Sequence, residues 1–323
     1  MQIEPASPNP KPYRIGLLLI EGFALLSYAS ITEPLRVANL LSGQSLYQVE
    51  PIPVAGATAR SSGGVLVPAS TVMAEAQGHD LILVIAAGDP FAFDDKETMH
   101  WLSNLQRRKI LLGGVSGGPV LLAQAGLMTG YRLTLHWEHA AALRQRHSDL
   151  LVERSLYVID RDRLTCAGGT APLDLMHALI MRQHSAQLAR DVSDWLQHTD
   201  VRPAGGAQRA GIVERYGVHN AALLSAIEMM ETHLADPLDL KSLSEVVGVG
   251  ERQLIRLFDT QLGASPMEFC RRLRLERGRL LLRQSGLSVS EIGRIVGFSS
   301  SAHFATRYRV LYGHTPSAER SLT

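Results

Sequence analysis

The C-terminal third of the chain repeats one amphipathic pattern, in residues 240–258 and again in residues 289–308. Apolar residues stand at positions i, i+3 and i+7 ahead of a glycine, and two more follow it: Leu240, Leu243, Val247, Gly248, Leu254 and Phe258 in the first copy, and Val289, Ile292, Val296, Gly297, Phe304 and Tyr308 in the second. An amphipathic helix, a tight glycine turn and a second anchored helix form a helix-turn-helix motif, whose second helix enters the DNA major groove. Two copies in register therefore predict an all-α domain that binds double-stranded DNA.

A helix predicted between the two motifs would set their separation. Ser265 suits its N-cap, Pro266 its first turn and Gly286 its end. About 18 residues at ~1.5 Å each span roughly 27 Å, so this helix with its flanking turns would place the two second helices about one DNA turn apart. Residues 271–283 contain six arginines and one acid, Glu276. Part of this basic run is expected to contact phosphates, although such runs are also typical of a solvated face.

About the last 100 residues resemble the DNA-binding domain of the AraC/XylS family of transcription regulators, down to GFSSSAHFATRYRVLYGHTPSAER at residues 297–320. The resemblance implies that this domain covers residues 220–320. Carried over position by position, it implies base-contacting residues at Arg252, Ile255 and Arg256 in the first motif and at Ser301, Ala302 and Thr306 in the second. Ile255 and Ala302 depart from the polar residues often found there, and they can contact only thymine methyl groups.

Arg252 and Arg256 are expected to contribute most to base recognition. They lie four residues apart on one face of a helix, and a guanidinium group can bind the edge of guanine. The alternative is that they pair with Glu251 and Asp259 along the same helix. Because the second motif offers no such pair, the first is expected to discriminate better between DNA sequences.

Three serines stand at the start of the second helix of the second motif. The hydroxyls and free amides of Ser299, Ser300 and Ser301 would suit a phosphate, because the N-terminus of a helix attracts anions. For any one of them, an ordinary helix N-cap is an equally good interpretation.

Composition limits what the whole chain can be. Its 323 residues are 46% apolar and 20% charged, which suits two globular domains. The formal net charge is only +1, so a DNA-binding surface must come from basic side chains placed together on one face. The two cysteines, Cys166 and Cys270, are far apart, which argues against a disulfide framework or a structural zinc site. We expect no metal and no cofactor. No apolar run approaches the ~20 residues of a membrane span, so we expect a cytoplasmic protein without a membrane partner. Residues 1–10 are expected to form a disordered tail.

Ahead of the two motifs, apolar runs alternate with amphipathic stretches. The runs predicted as buried strands are residues 14–20, 46–54, 80–88 and 109–116. This alternation predicts an α/β domain over residues 11–198, with a mostly parallel sheet flanked by helices. A long helix over residues 172–196 is expected to pack on the sheet and to meet a partner subunit. Residues 199–219, which include RPAGGAQRAG, are expected to form the interdomain linker.

The sequence GVSGG at residues 114–118 joins a predicted strand to a predicted helix. Such a turn exposes a nucleophile in several α/β folds, and Ser116 occupies that position, with His136 twenty residues later. Glycines at this junction can also serve close packing alone. A serine hydroxyl stays protonated near neutral pH and needs a base, and spacing alone does not choose between Asp160 and Glu138 as the group that would orient His136.

Residues 13 to about 190 resemble a PfpI-like domain of the flavodoxin-like, class I glutamine-amidotransferase-like fold, in which a nucleophilic cysteine occupies this turn. Together with the AraC-type domain, the resemblance implies a regulator of the GlxA type. Ser116 stands at the cysteine position, which implies a pocket that binds without catalysis, so no catalytic residue is expected. The residues expected to bind a ligand are Ser116, Gly117, His136, Glu33 and Trp137. The Gly117 amide would face a ligand carboxylate, and Glu33 or Trp137 would face a cation.

These resemblances imply a ligand-responsive transcription activator for the catabolism of a small nitrogen-containing metabolite, such as an amino acid, carnitine or betaine. Its expected partners are a double-stranded DNA operator, RNA polymerase, the metabolite and a second copy of the chain in a homodimer. The sequence leaves two alternatives open. One is an amidase-like hydrolase that uses Ser116 and is fused to a DNA-binding domain; the other is a constitutive DNA-binding regulator with an inert first domain.

Overall fold

The structure is a computed structural model that describes residues 11–321, except for the side chain of Gln284. The tail predicted to be disordered, residues 1–10, lies outside the described residues. The chain divides between Gln208 and Arg209 into two compact units, named here the N-terminal and C-terminal domains. The division falls inside the segment predicted as the linker. No helix within the described range is both long and apolar enough to cross a membrane.

A mostly parallel sheet forms the centre of the N-terminal domain. The strands are β1 (Tyr13–Leu19), β2 (Tyr47–Pro53), β3 (Thr58–Arg60), β4 (Leu66–Pro68), β5 (Leu81–Ala86), β6 (Leu111–Ser116), β7 (Arg132–Leu133), β8 (Leu151–Val152), β9 (Tyr157–Asp160) and β10 (Arg163–Cys166). Six of them form one sheet in the order β2-β1-β5-β6-β10-β9, in which only β9 and β10 pair antiparallel. Every residue of β5 is buried, as expected for a strand covered on both faces.

Helices cover both faces of this sheet. They are α1 (Leu25–Ser42), α2 (Lys96–Arg107), α3 (Gly118–Gln124), α4 (Trp137–Arg146), α5 (Ala171–Gln183) and α6 (Ala186–Trp195), with a short 3₁₀ turn at Pro90–Ala92. Side chains of α1, α5 and α6 share one apolar core with Leu17 of β1, and side chains of α2, α3 and α4 share the other with Leu18. Successive strand residues point to opposite faces, so the two cores lie on opposite sides of the sheet. The predicted α/β fold is confirmed.

The prediction of one long helix over residues 172–196 is wrong, because the chain breaks at His184 and Ser185 into α5 and α6. Ser185 has extended backbone, and its Oγ accepts a hydrogen bond from the Leu188 amide at 3.1 Å. A serine in this arrangement is an N-cap, which starts a new helix by satisfying one of its free amides. The apolar pattern continues across the break, so only the capping serine indicates it.

Part of the predicted linker packs on the N-terminal domain. Asp174 of α5 is fully buried and accepts hydrogen bonds from the Arg202 amide at 2.8 Å and from the Arg202 guanidinium at 2.7 Å. The Ala204 carbonyl accepts a hydrogen bond from the Leu156 amide at 2.8 Å. This stretch is therefore held by specific contacts instead of acting as a free spacer.

The C-terminal domain consists of helices joined by short turns. They are α7 (Ile212–Tyr216), α8 (Ala221–Thr232), α9 (Leu240–Val247), α10 (Glu251–Leu262), α11 (Pro266–Gln284), α12 (Val289–Ile295), α13 (Ser301–Tyr312) and α14 (Pro316–Arg320). Ser265 caps α11 as predicted, because its Oγ accepts a hydrogen bond from the Glu268 amide at 3.3 Å. The first half of α11 contributes Phe269 to one apolar core, and its second half contributes Leu282 to another. The predicted all-α domain with two helix-turn-helix motifs is confirmed, and α11 packs in both cores.

Candidate DNA-binding interface and ligand site

The first motif consists of α9, the turn at Gly248 and α10. Leu254 and Phe258 of α10 are fully buried, which fixes the rotation of this helix. The same rotation leaves the three predicted base-contacting side chains exposed: Arg252, Ile255 and Arg256. Within the described residues, neither arginine forms an ion pair, so the alternative pairing along the helix is not observed. Both guanidinium groups face solvent and can reach a partner.

The second motif consists of α12, the turn at Gly297 and α13. Phe304 and Tyr308 are fully buried, and the predicted base-contacting side chains are all exposed: Ser301, Ala302 and Thr306. The Ser300 Oγ accepts a hydrogen bond from the His303 amide at 3.2 Å, so Ser300 is the N-cap of α13. Ser299 and Ser301 are exposed on either side of it. The capping interpretation thus applies to one of the three serines.

Most arginines of α11 contact protein groups, and the expectation that part of this run contacts phosphates stays a prediction. Arg274 donates from Nε to the Val296 carbonyl at 2.7 Å, and its guanidinium lies 4.2 Å from the centre of the Phe298 ring. Arg271 and Arg272 form ion pairs with an acid one turn earlier in the helix. The contacts of Arg274 attach α11 directly to the turn of the second motif.

A buried carboxylate completes the second motif. Glu319 of α14 is fully buried and accepts hydrogen bonds from Tyr308 Oη at 2.7 Å and from Arg283 Nε at 2.6 Å. His314 Nε2 lies 2.5 Å and Arg279 Nε 3.1 Å from the same carboxylate. Burial alone would raise the pKa of Glu319, but these four partners outweigh it and lower the pKa from its ordinary 4.5 to about 2. The carboxylate therefore ties α11, α13 and α14 together as an anion.

The turn after β6 is as sharp as predicted, but its amides do not face a ligand. Ser116 has φ of +59°, in the left-handed region that favours glycine. A Cβ at Gly118 would lie 1.9 Å from the Val84 carbonyl oxygen, so close packing requires this glycine. The Gly117 amide donates to the Ala86 carbonyl at 2.9 Å. That hydrogen bond makes the amide unavailable to a ligand carboxylate, which corrects the role predicted for Gly117.

Ser116 and His136 are neighbours, but not in the arrangement of a nucleophile and its base. The His136 amide donates to the Ser116 carbonyl at 3.1 Å, and in the described part of the chain no hydrogen bond joins the Ser116 Oγ to the imidazole. The Trp137 ring lies 5.3 Å from the His136 ring. Glu33 instead lies on α1, in an ion pair with Arg36 at 2.7 Å. The structure thus groups Ser116, His136 and Trp137 and gives Glu33 a separate partner.

Three possible metal ligands lie close together at the start of α4, although the sequence predicted no metal site. Ligand atoms of His136, Glu138 and His139 all lie within 4.8 Å of one another. Glu138 Oε1 is 2.9 Å from Nδ1 of His136 and 3.4 Å from Nε2 of His139. Nitrogen and carboxylate ligands at such separations could hold a divalent ion. The contacts of the Glu138 carboxylate with the two imidazoles explain the same grouping without a metal ion.

A cleft of about 650 Å³ opens beyond the ends of β1, β2 and β5, and sequence reasoning missed it. Glu21, Asp89 and Phe93 are among its lining residues, whereas none of the five residues predicted to bind a ligand lines it. From β1 the chain continues to β2 on one side, while β5 and β6 lie on the other, so the direction of winding reverses between β1 and β5. Ligands of open α/β sheets bind at such a reversal, outside the carboxyl ends of the strands.

Comparison with known proteins gives the same division of the chain. The DJ-1/PfpI family matches residues 14–182, and a helix-turn-helix domain matches residues 243–321. The chain is 42% identical to the HTH-type transcriptional regulator GlxA of Rhizobium meliloti over 98% of both proteins. The chain belongs to the GlxA-type transcription regulators. A second relative, the HTH-type transcriptional regulator CdhR of Pseudomonas aeruginosa, is 38% identical over 94% of this chain and 90% of that protein.

The structural comparison supports the N-terminal fold of this GlxA-type regulator. A crystal structure of an AraC family transcriptional regulator from Pseudomonas putida is 28% identical and covers 57% of this chain and 100% of its own, with a TM-score of 0.53. The family resemblance inferred from the sequence is therefore confirmed, and the chain is a DNA-binding transcription regulator. Its relatives are named as regulators rather than enzymes, in agreement with the expectation for this chain.

Proposed function

We propose that this regulator senses a small nitrogen-containing metabolite, such as an amino acid, carnitine or betaine, and in response activates genes for its catabolism. The observation that carries the proposal is a ligand-sized cleft in an α/β domain joined to an AraC-type domain. Clefts of roughly 300–1,000 Å³ are typical of small-molecule sites. The metabolite must bind more tightly to the conformation of the regulator that binds DNA than to the conformation that does not. Equal affinity for both would leave the equilibrium between them unchanged.

The proposed DNA partner is a double-stranded operator, and the exposed faces of α10 and α13 support this role. The residues proposed to contact it are Arg252, Ile255, Arg256, Ser299, Ser300, Ser301, Ala302 and Thr306, of which Ser300 is also the N-cap of α13. The proposed macromolecular partners are RNA polymerase, as expected for an activator, and a second copy of the chain. A homodimer would raise the effective concentration of the motifs at paired sites. Because the target is chromosomal DNA, the proposed location is the cytoplasm.

The neighbourhood of Ser116 supports sensing over hydrolysis. In the enzymes that this domain resembles, the turn presents a cysteine thiolate, which is a nucleophile near neutral pH. Ser116 carries a hydroxyl, which needs a base in hydrogen-bonding reach, and the His136 imidazole does not provide that hydrogen bond. We therefore propose that Ser116 replaces the nucleophile without retaining its chemistry.

A thermal-shift screen of the full chain with amino acids, betaines, carnitine and polyamines tests the proposed response. The inducer is expected to stabilise the protein by about 2.7 kcal/mol at 100-fold excess over its dissociation constant. It is also expected to change operator affinity by roughly 5- to 150-fold, measured by fluorescence anisotropy at fixed salt. An unchanged melting temperature and operator affinity across the whole panel would instead support a constitutive regulator with an inert first domain.

A further inference from the structure

The cleft at the ends of β1, β2 and β5 has a charge pattern that limits what it can bind. Its fifteen lining residues include the carboxylates Glu21 and Asp89 but no lysine, arginine or histidine. A basic group, Arg60, lies at its rim, with its Nε 3.9 Å from Glu21 Oε1. Both side chains are more than half exposed, so at that separation the ion pair contributes little free energy. The cleft therefore favours the cationic end of a ligand and disfavours a ligand whose only charges are negative, such as a phosphate.

Backbone contacts fix the positions of both carboxylates. Glu21 Oε2 accepts a hydrogen bond from the Arg60 amide at 3.1 Å, which orients this side chain against β3. Asp89 Oδ1 accepts a hydrogen bond from the Phe91 amide at 3.1 Å and so caps the 3₁₀ turn. Acids held in this way are oriented before a ligand arrives, so less conformational entropy is lost on binding.

The remaining walls suit an apolar body next to the positive charge. Leu19, Val54 and Ala87 contribute aliphatic surface, and Phe93 contributes an aromatic ring. An aromatic face attracts cations, most strongly when water is excluded. Acids together with aliphatic and aromatic walls are the groups that recognise a small organic cation better than a hydrated metal ion or a sugar.

We propose that this cleft is the sensory site and that it binds a small organic cation with an apolar body through Glu21, Asp89 and Phe93. The inference rests on the proposed ligand response and moves its site away from the turn at Ser116. At that turn, Ser116 is only 6% exposed and the Gly117 amide is already hydrogen-bonded. The cleft has the volume and the charge that the turn lacks.

Choline and its uncharged carbon isostere, 3,3-dimethylbutan-1-ol, are the probes for this site, because they share shape and differ in charge. Saturation-transfer NMR on the full chain is expected to detect choline and to show at least tenfold weaker binding of the isostere. Glu21→Gln and Asp89→Asn each keep the acceptor for the backbone amide and remove the charge. Each is expected to weaken choline binding roughly fivefold. The matched control, Asp149→Asn, removes an exposed acid outside the cleft and should bind choline like the native chain.

Three outcomes would overturn the proposal: no detectable choline binding, equal binding of both probes, or unchanged choline binding in both cleft variants. Loss of choline binding in Ser116→Ala alone would place the ligand at the turn after β6 instead. Operator affinity of the same variants separates this inference from the proposed function. If choline binds in the cleft but no metabolite alters operator affinity, the proposed metabolite response is wrong and the proposed cation site is supported. If a metabolite alters operator affinity equally in the native chain and the cleft variants, the proposed site in the cleft is wrong and the proposed metabolite response is supported.

Discussion

Gly297→Ala is expected to destabilise the second motif by about 4 kcal/mol, whereas Gly248→Ala at the equivalent turn of the first motif should cost only about 1–2 kcal/mol. Both glycines have positive φ, +78° and +72°, so alanine is strained at either position. A Cβ at Gly297 would also lie 2.5 Å from the Leu234 carbonyl oxygen and 2.7 Å from that of Ala235. Within 4 Å of a Cβ at Gly248 there is only open space. The difference between the variants therefore measures the packing of the second turn.

Hydrogen exchange read by mass spectrometry resolves the two motifs within the full chain. Protection in α12 and α13 should fall by roughly a thousandfold in Gly297→Ala, and protection in α9 and α10 by roughly 5- to 30-fold in Gly248→Ala, following the expected free energies. The three tryptophans, Trp101, Trp137 and Trp195, all lie in the N-terminal domain, so their fluorescence reports whether that domain stays folded. Equal losses of protection in the two variants would show that the contact with the Leu234 and Ala235 carbonyls does not hold the second turn.

Glu319→Gln is expected to destabilise the second motif by on the order of 3 kcal/mol, because removing a buried anion leaves its cationic partners uncompensated. Gln keeps one acceptor oxygen but not the charge, so Arg279 and Arg283 would lose the anion they share, and Tyr308 would lose its hydrogen bond to a charged oxygen. Thermal unfolding followed by far-UV circular dichroism measures the effect. Glu245→Gln, which changes an exposed acid of α9, is the matched control and should melt like the native chain.

The same carboxylate gives the second motif a defined acid sensitivity. The folded-state pKa of Glu319, about 2, is below its ordinary 4.5, so its stabilisation is complete above pH 4.5 and disappears as the pH falls towards 2. Protection of α12 and α13 should decline across this range in the native chain and much less in Glu319→Gln. A decline of the same slope in both proteins would mean that Glu319 is not the group responsible.

The strands and both motifs could be predicted because their signals are local. Apolar runs gave β1, β5 and β6 close to their observed positions, since a strand buried on both faces needs such a run, and the mixed run at residues 46–54 gave β2. Leu254 and Phe258 are buried as the helical period requires, and this burial leaves Arg252 and Arg256 exposed.

What the sequence did not reveal depends on residues far apart in the chain. Arg274 contacts the Val296 carbonyl, 22 residues later, and Arg283 contacts the Glu319 carboxylate, 36 residues later. Because both partners are distant in the sequence, the pattern around these arginines indicated only an exposed basic face. The Gly117 amide appeared available because its acceptor lies on a neighbouring strand. The cleft was invisible for the same reason, since it exists only once the strand order places the end of β1 beside that of β5.

The most direct test of two DNA-binding motifs joined by one helix is a footprint of the full chain on a duplex selected from random sequence. Two protected major-groove segments are expected on one face of the DNA, about 10 base pairs apart. Arg252→Ala and Arg256→Ala should each cost about 1–3 kcal/mol and relax base preference in one segment, and Thr306→Ala should affect only the other. A single protected segment, or base preferences that survive all three substitutions, would contradict this arrangement.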